Sequence, residues 1–163
     1  MRIVVGSVLI AISTTVLAQS SQPAPSPAAP KPLDAARFRP ITGADLDKLP
    51  SGCSFAALRG KDMIAISVGD GPPGASGKPG QVPFWFKIDG RIVKASGTLG
   101  KKTRTQHIGS WTGMVAGHSV TITEGKLNPK VKNDGGGQGG AGTLEWVAGE
   151  AKGSLPVTWE AGC

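Results

Sequence analysis

Two cysteines, two histidines and one dense run of basic residues carry most of the reactive chemistry in this sequence. Cys53 opens the first apolar segment, in Ser51-Gly52-Cys53-Ser54-Phe55, and Cys163 lies about 110 residues further on. In an oxidising compartment an even cysteine count reads as a disulfide. A Cys53–Cys163 bridge ties the start of the domain to its end. For a loop of that size the chain-entropy argument gives roughly 4.7 kcal/mol, a large share of a typical stability of about 5–15 kcal/mol. A zinc or redox site would need C-x-x-C or clustered histidines, and neither pattern occurs. The expectation is a structural disulfide, with no metal and no cofactor.

His107 and His118 fall on different predicted strands, with no cysteine or carboxylate at ligand spacing. Ser110, His107 and one of several aspartates can be assembled on paper into a Ser-His-Asp set. No G-x-S-x-G pattern supports it. Glu145, Glu150 and Glu160 occupy ordinary strand or turn positions rather than a paired-carboxylate site. Gly77-Lys78 resembles the end of a phosphate loop, but Pro72 stands where its first glycine belongs and Pro79 replaces the Ser or Thr. No catalytic residue is therefore assigned, and a secreted hydrolase using His107 remains the alternative.

The basic residues Lys87, Arg91, Lys94, Lys101, Lys102 and Arg104 are offset locally only by Asp89. With Trp85 and Trp111 close in sequence, they form a candidate ligand-binding surface that combines charge with ring stacking. The whole chain has 18 Lys and Arg against 11 Asp and Glu, a formal charge of +7. Loss of Arg2 with a cleaved leader lowers this to +6. Such a balance suits an anionic envelope polymer or an acidic protein partner, the latter including the role of a hydrolase inhibitor. Nucleic acid is disfavoured by export and by the lack of a nucleic-acid-binding motif. The expectation is a non-enzymatic binding domain. A structural cell-envelope component is a further alternative.

The compartment is read from the N-terminus. Met1-Arg2 precedes the apolar run Ile3 to Ile12, which fades through Ser13-Thr14-Thr15 to Val16-Leu17-Ala18. Charge, apolar stretch and small-residue exit describe a cleavable signal peptide over residues 1–18. A membrane span would need roughly 20 apolar residues, so no transmembrane segment is expected after its removal. The protein is expected to be periplasmic or secreted. Residues 19–32, rich in Pro, Ala and Ser, read as a disordered spacer.

Residues 33–163 are one domain by size. Abundant Gly and Pro with short apolar runs favour an all-β fold. Leu33 to Leu49 is a helical lead-in, with Thr42 capping a short helix and Pro50 ending it. Strands are expected at Cys53–Leu58 and Met63–Val68, the latter with Ile64, Ile66 and Val68 on one face. A loop follows from Gly69 to Gln81. Asp89-Gly90 between apolar runs is a hairpin signal. That turn sets Phe86 opposite Val93 and Trp85 opposite Lys94, with Phe84, Phe86 and Val93 facing the core. Further strands are expected at Thr103–Ile108, Trp111–Val115, Ser119–Thr123, Thr143–Val147 and Leu155–Trp159. Asn128-Pro129 and Asn133-Asp134-Gly135 mark turns, and Gly135 to Gly142 reads as mobile. About eight strands at close spacing give a small antiparallel β-sandwich or barrel.

Overall fold

The computed structural model describes residues 31–69, 81–132 and 137–163. Eight strands follow one another: β1 (Cys53–Arg59), β2 (Asp62–Gly69), β3 (Val82–Ile88), β4 (Arg91–Leu99), β5 (Ser110–Val115), β6 (His118–Lys132), β7 (Gln138–Ala148) and β8 (Ala151–Gly162). Each pairs antiparallel with the next, and β8 pairs back onto β1. The fold is thus a closed barrel rather than a sandwich, and closure removes the two free sheet edges. Cys53 and Cys163 are disulfide-bonded beside the β1–β8 seam.

Backbone conformation places the tight turns at one end. Asp89-Gly90 and Ala116-Gly117 have positive φ at both central positions (49° and 83°, 50° and 84°), as a two-residue hairpin turn requires. The β1–β2 and β7–β8 turns lie at this same end, and all the long connections lie at the other. The β3–β4 register sets Trp85 opposite Lys94, Phe86 opposite Val93 and Ile88 opposite Arg91, as the Asp-Gly spacing predicts.

An eight-stranded barrel encloses a space just wide enough for side chains to fill. Here aromatic rings fill it. Phe84 lies 4.9 Å from Trp111 and 6.1 Å from Phe55, and Phe55 stacks on Trp159 at 5.7 Å. Each interior tryptophan lies against glycine on a neighbouring strand. A Cβ at Gly97 would overlap the Trp111 ring and the Thr112 carbonyl; one at Gly153 would overlap Trp146. Gly140 faces Trp159 across the β7–β8 ladder. The glycines of Gln138–Gly142 therefore belong to β7, which corrects their reading as a mobile stretch. Gly135 and Gly136 lie outside the described residues.

The N-terminal segment completes the wall. β2 and β3 pair only at Ala65–Phe86 and Ile66–Trp85. Residues 37–41 occupy the splay below: Arg39 N–H donates to the Lys87 carbonyl, Asp89 N–H to the Arg37 carbonyl, and Ile41 N–H to the Met63 carbonyl. Phe38 enters the interior, fully buried, with its ring 5.5 Å from Trp146 and 6.3 Å from Phe86. Arg59 donates to the carbonyls of Ala35 and Phe38. The helical lead-in is shorter than expected, with α1 spanning Gly43–Leu46 before the turn that ends at Pro50. It covers the outer face of β1 to β4, where Ile41, Ala56, Ile66 and Trp85 form a second buried cluster. A bulge between Ala57 and Leu58 pairs them with Ala65 and Met63, leaving Ile64 as the extra residue of β2. Ile64 consequently joins the interior while Ile66 and Val68 join the outer cluster, so the three do not share one face.

Two further corrections concern irregular sequence. Thr103 to Ile108 is not a strand but part of the β4–β5 connection. Asn128-Pro129 does not turn the chain, because β6 continues to Lys132 with irregular pairing between Leu127 and Lys132. The expected Asn133-Asp134-Gly135 turn and most of the Gly69–Gln81 loop lie outside the described residues.

Gly97→Ala should destabilise the protein by about 1–3 kcal/mol through overpacking. Gly43→Ala, where a Cβ meets nothing within 4 Å, should be neutral or slightly stabilising. Urea unfolding of both variants checks the contrast. A second expectation concerns acid. The Asp45 carboxylate accepts from Lys87 Nζ at 2.7 Å, Thr42 N–H at 2.9 Å and Thr42 Oγ1 at 2.8 Å. The Lys87 bond first, then those from Thr42, hold its carboxyl well below the usual carboxylate range. The stability this confers is complete above the unfolded pKa of about 3.9 and is lost as pH falls through the depressed folded value. Asp45→Asn should therefore cost most above about pH 5, with the deficit shrinking towards about pH 2. Unfolding curves across that range measure it.

Candidate binding surface at the loop end

The β4–β5 connection is organised by one buried carboxylate. Glu124 on β6 is 2% exposed. Its oxygens accept from the backbone N–H groups of His107 (2.8 Å), Ile108 (2.8 Å) and Gly109 (3.1 Å). Gln106 Nε2 donates to the Glu124 carbonyl, and Glu124 N–H to the Gly109 carbonyl. Buried Glu124 thus obtains acceptor-side satisfaction from the loop it holds, as a buried charge requires. Ile108, fully buried, anchors the loop in the core. Lys101, Lys102 and Arg104 remain on its exposed side.

Between this connection and β6 lies an open cleft of about 530 Å³, lined by Thr103, Thr105 and Gln106 on one flank and Glu124, Gly125, Lys126 and Leu127 on the other. Lys126 and Lys130 are exposed on β6. None of Lys101, Lys102, Arg104, Lys126 and Lys130 has a carboxylate within ion-pair distance among the described residues.

The sequence-derived candidate set divides in space. Lys101, Lys102 and Arg104 share the loop end. Lys102 Nζ also donates to the His107 carbonyl at 3.2 Å. Arg91 and Lys94 are exposed on β4, towards its hairpin turn, and Lys94 Nζ lies 5.5 Å from the centre of the Trp85 ring. Trp85 itself is only 7% exposed, beneath the N-terminal segment. Lys87 is ion-paired with Asp45 and mostly covered. Trp111 is fully buried inside the barrel and donates its Nε1–H to the Val82 carbonyl at 2.8 Å. The two rings of the candidate set thus offer no open face at the loop end. Lys126 lines the same cleft and Lys130 lies further along β6; the sequence reading singled out neither. Their only sequence signal is the spacing from Glu124 into a long strand.

His107 Nδ1 lies 3.2 Å from Glu124 Oε1, with the His107 side chain 24% exposed and its ring 5.3 Å from Trp159. The carboxylate beside His107 is therefore Glu124, not an aspartate. A histidine oriented by a buried carboxylate has the form of a general base. Among the described residues no serine, threonine or cysteine hydrogen-bonds to it. His118 is at the opposite end, with Nε2 2.8 Å from the Lys31 carbonyl. Among the described residues no three His, Cys, Asp or Glu side chains form a group able to hold a metal. Trp159 Nε1 is buried without a hydrogen-bond acceptor among the described residues. No helix among the described residues is long and apolar enough to cross a membrane.

No family model matches the chain, and no curated protein or solved structure matches it significantly.

Glu124→Gln should loosen the β4–β5 connection, because an amide cannot match the acceptor capacity of a carboxylate. Each N–H left unsatisfied costs about 1–3 kcal/mol. Amide hydrogen exchange should accelerate at His107, Ile108 and Gly109 while the β1–β8 seam keeps its protection. Unchanged exchange at those three amides would contradict the pinning role.

Proposed function

We propose that this protein is an exported, non-enzymatic binding domain whose loop end holds a negatively charged partner, either an anionic envelope polymer or an acidic protein. The observation that carries this reading is the cluster of exposed cations at that end, Lys101, Lys102, Arg104, Lys126 and Lys130, without acidic partners among the described residues. Two cations elsewhere are neutralised within the fold, Arg37 by Asp89 at 2.9 Å and Lys87 by Asp45 at 2.7 Å, while Arg91 and Lys94 stand exposed without an ion pair among the described residues. Long connections on a rigid scaffold are where binding residues concentrate, and unpaired surface charge steers an oppositely charged partner. Export is read from the leader-like residues 1–18. The Cys53–Cys163 disulfide fits an oxidising compartment. Binding is favoured over hydrolysis because, among the described residues, no nucleophile hydrogen-bonds to His107 or Glu124, and the carboxylate is occupied by three backbone donors.

Reversing Lys101, Arg104 and Lys126 to Glu should lower retention on envelope fractions at least tenfold. Reversing Lys48, Lys61 and Lys152, which lie away from the cleft, should have a much smaller effect. Both sets should retain the wild-type circular dichroism spectrum. Equal losses from the two sets would reduce the interaction to net charge and overturn the assignment of the loop end.

A further inference from the structure

We propose that β6 at Gly125–Asn128 accepts an extended acidic segment of a partner protein as an added strand in the cleft. This rests on the binding reading above and narrows it from any anionic partner to a peptide chain. The β5–β6 ladder runs from Val115–His118 to Ser110–Thr123 and stops there. β6 itself continues to Lys132, and its other side stays paired with β7 at Glu124–Gly142, Leu127–Gly140 and Lys132–Gln138. Beyond Glu124, therefore, no strand among the described residues pairs with β6 on the β5 side. The Glu124 contacts hold the β4–β5 connection near this margin, and the cleft lies between them.

A sheet margin recognises a peptide through main-chain hydrogen bonds, and alternate side chains supply selectivity. Both kinds of contact are present here. Leu127, 40% exposed, is one of three large apolar side chains that stand in solvent among the described residues. It lines the cleft and provides an apolar contact. Lys126 beside it, with Lys101, Lys102 and Arg104 on the facing connection, supplies the charge that selects an acidic segment. Pro129 has no N–H to donate, so the receptive stretch ends at Asn128. A polyanion without amide groups would use the charges alone and leave the strand margin unpaired.

The test uses the full mature chain with its disulfide intact. Its probes are a peptide of about ten residues alternating Glu and Val, the same peptide N-methylated at every second residue, and polyphosphate. Amide NMR and hydrogen exchange follow each titration. The expected result is binding of the alternating peptide, with slowed exchange at amides within Gly125–Asn128, and at least tenfold weaker binding of the N-methylated form. Binding of both peptides equally, without protection at Gly125–Asn128, would overturn strand addition while leaving the charged surface in place. Binding of polyphosphate alone would overturn the peptide assignment in favour of a polymer. Failure of all three probes to bind would overturn both this inference and the anionic-partner reading.

Discussion

The barrel depends on having its interior filled. A closed ring of eight strands leaves a column that water cannot usefully occupy when its lining is apolar, and loose packing there forfeits dispersion contacts. This chain fills the column with few but large side chains. Trp111, Trp146 and Trp159 point inwards, and glycines on adjacent strands leave room for them. Phe38, from outside the eight strands, closes the remaining space near the hairpin turns. With the interior occupied by rings, the partner proposed above would meet the outside of the barrel and the connections between strands.

Much of this was legible in the sequence, and the failures have physical causes. Asp89-Gly90 specified its turn because few residue pairs tolerate two successive positive φ values, and the register of β3 and β4 followed from it. The disulfide was legible because two cysteines allow only one intramolecular pairing. The β7 glycines were misread because glycine usually signals a loop. Their purpose here lies on the neighbouring strand, where Trp159 needs the volume. Thr103 to Ile108 was misread because its partner is Glu124, whose contacts with the loop are side chain to backbone and leave no periodic trace. The candidate site was only partly visible for the same reason. Sequence proximity grouped Lys87 and Trp111 with the loop cations. Folding turned Trp111 into the core and gave Lys87 to Asp45, 42 residues away.

Cations are exposed at both ends of the barrel, Lys61, Arg91 and Lys152 beside the hairpin turns and Lys101, Lys102 and Arg104 on the β4–β5 connection. At the hairpin end, Arg37 and Asp89 neutralise one another, and the Arg37 hydrogen bond holds the Asp89 carboxyl below its ordinary range. At the loop end, Glu124 is the negative group nearest the cleft, but it is buried and directed into backbone donors. It therefore does not act as an exposed counter-ion to the lysines. A field of this kind acts over roughly a Debye length, about 8 Å at physiological ionic strength, and weakens as salt rises.

The N-terminal wedge also fixes an orientation. Lys31 reaches the hairpin end of the barrel, where its carbonyl meets His118, whereas the basic connections crown the opposite end. β6 alone is 15 residues long, and strands advance about 3.3 Å per residue. Lys31 therefore marks the pole opposite the loop-end cations. The long connections, with Lys101, Lys102 and Arg104 among them, thus lie a full strand length from Lys31.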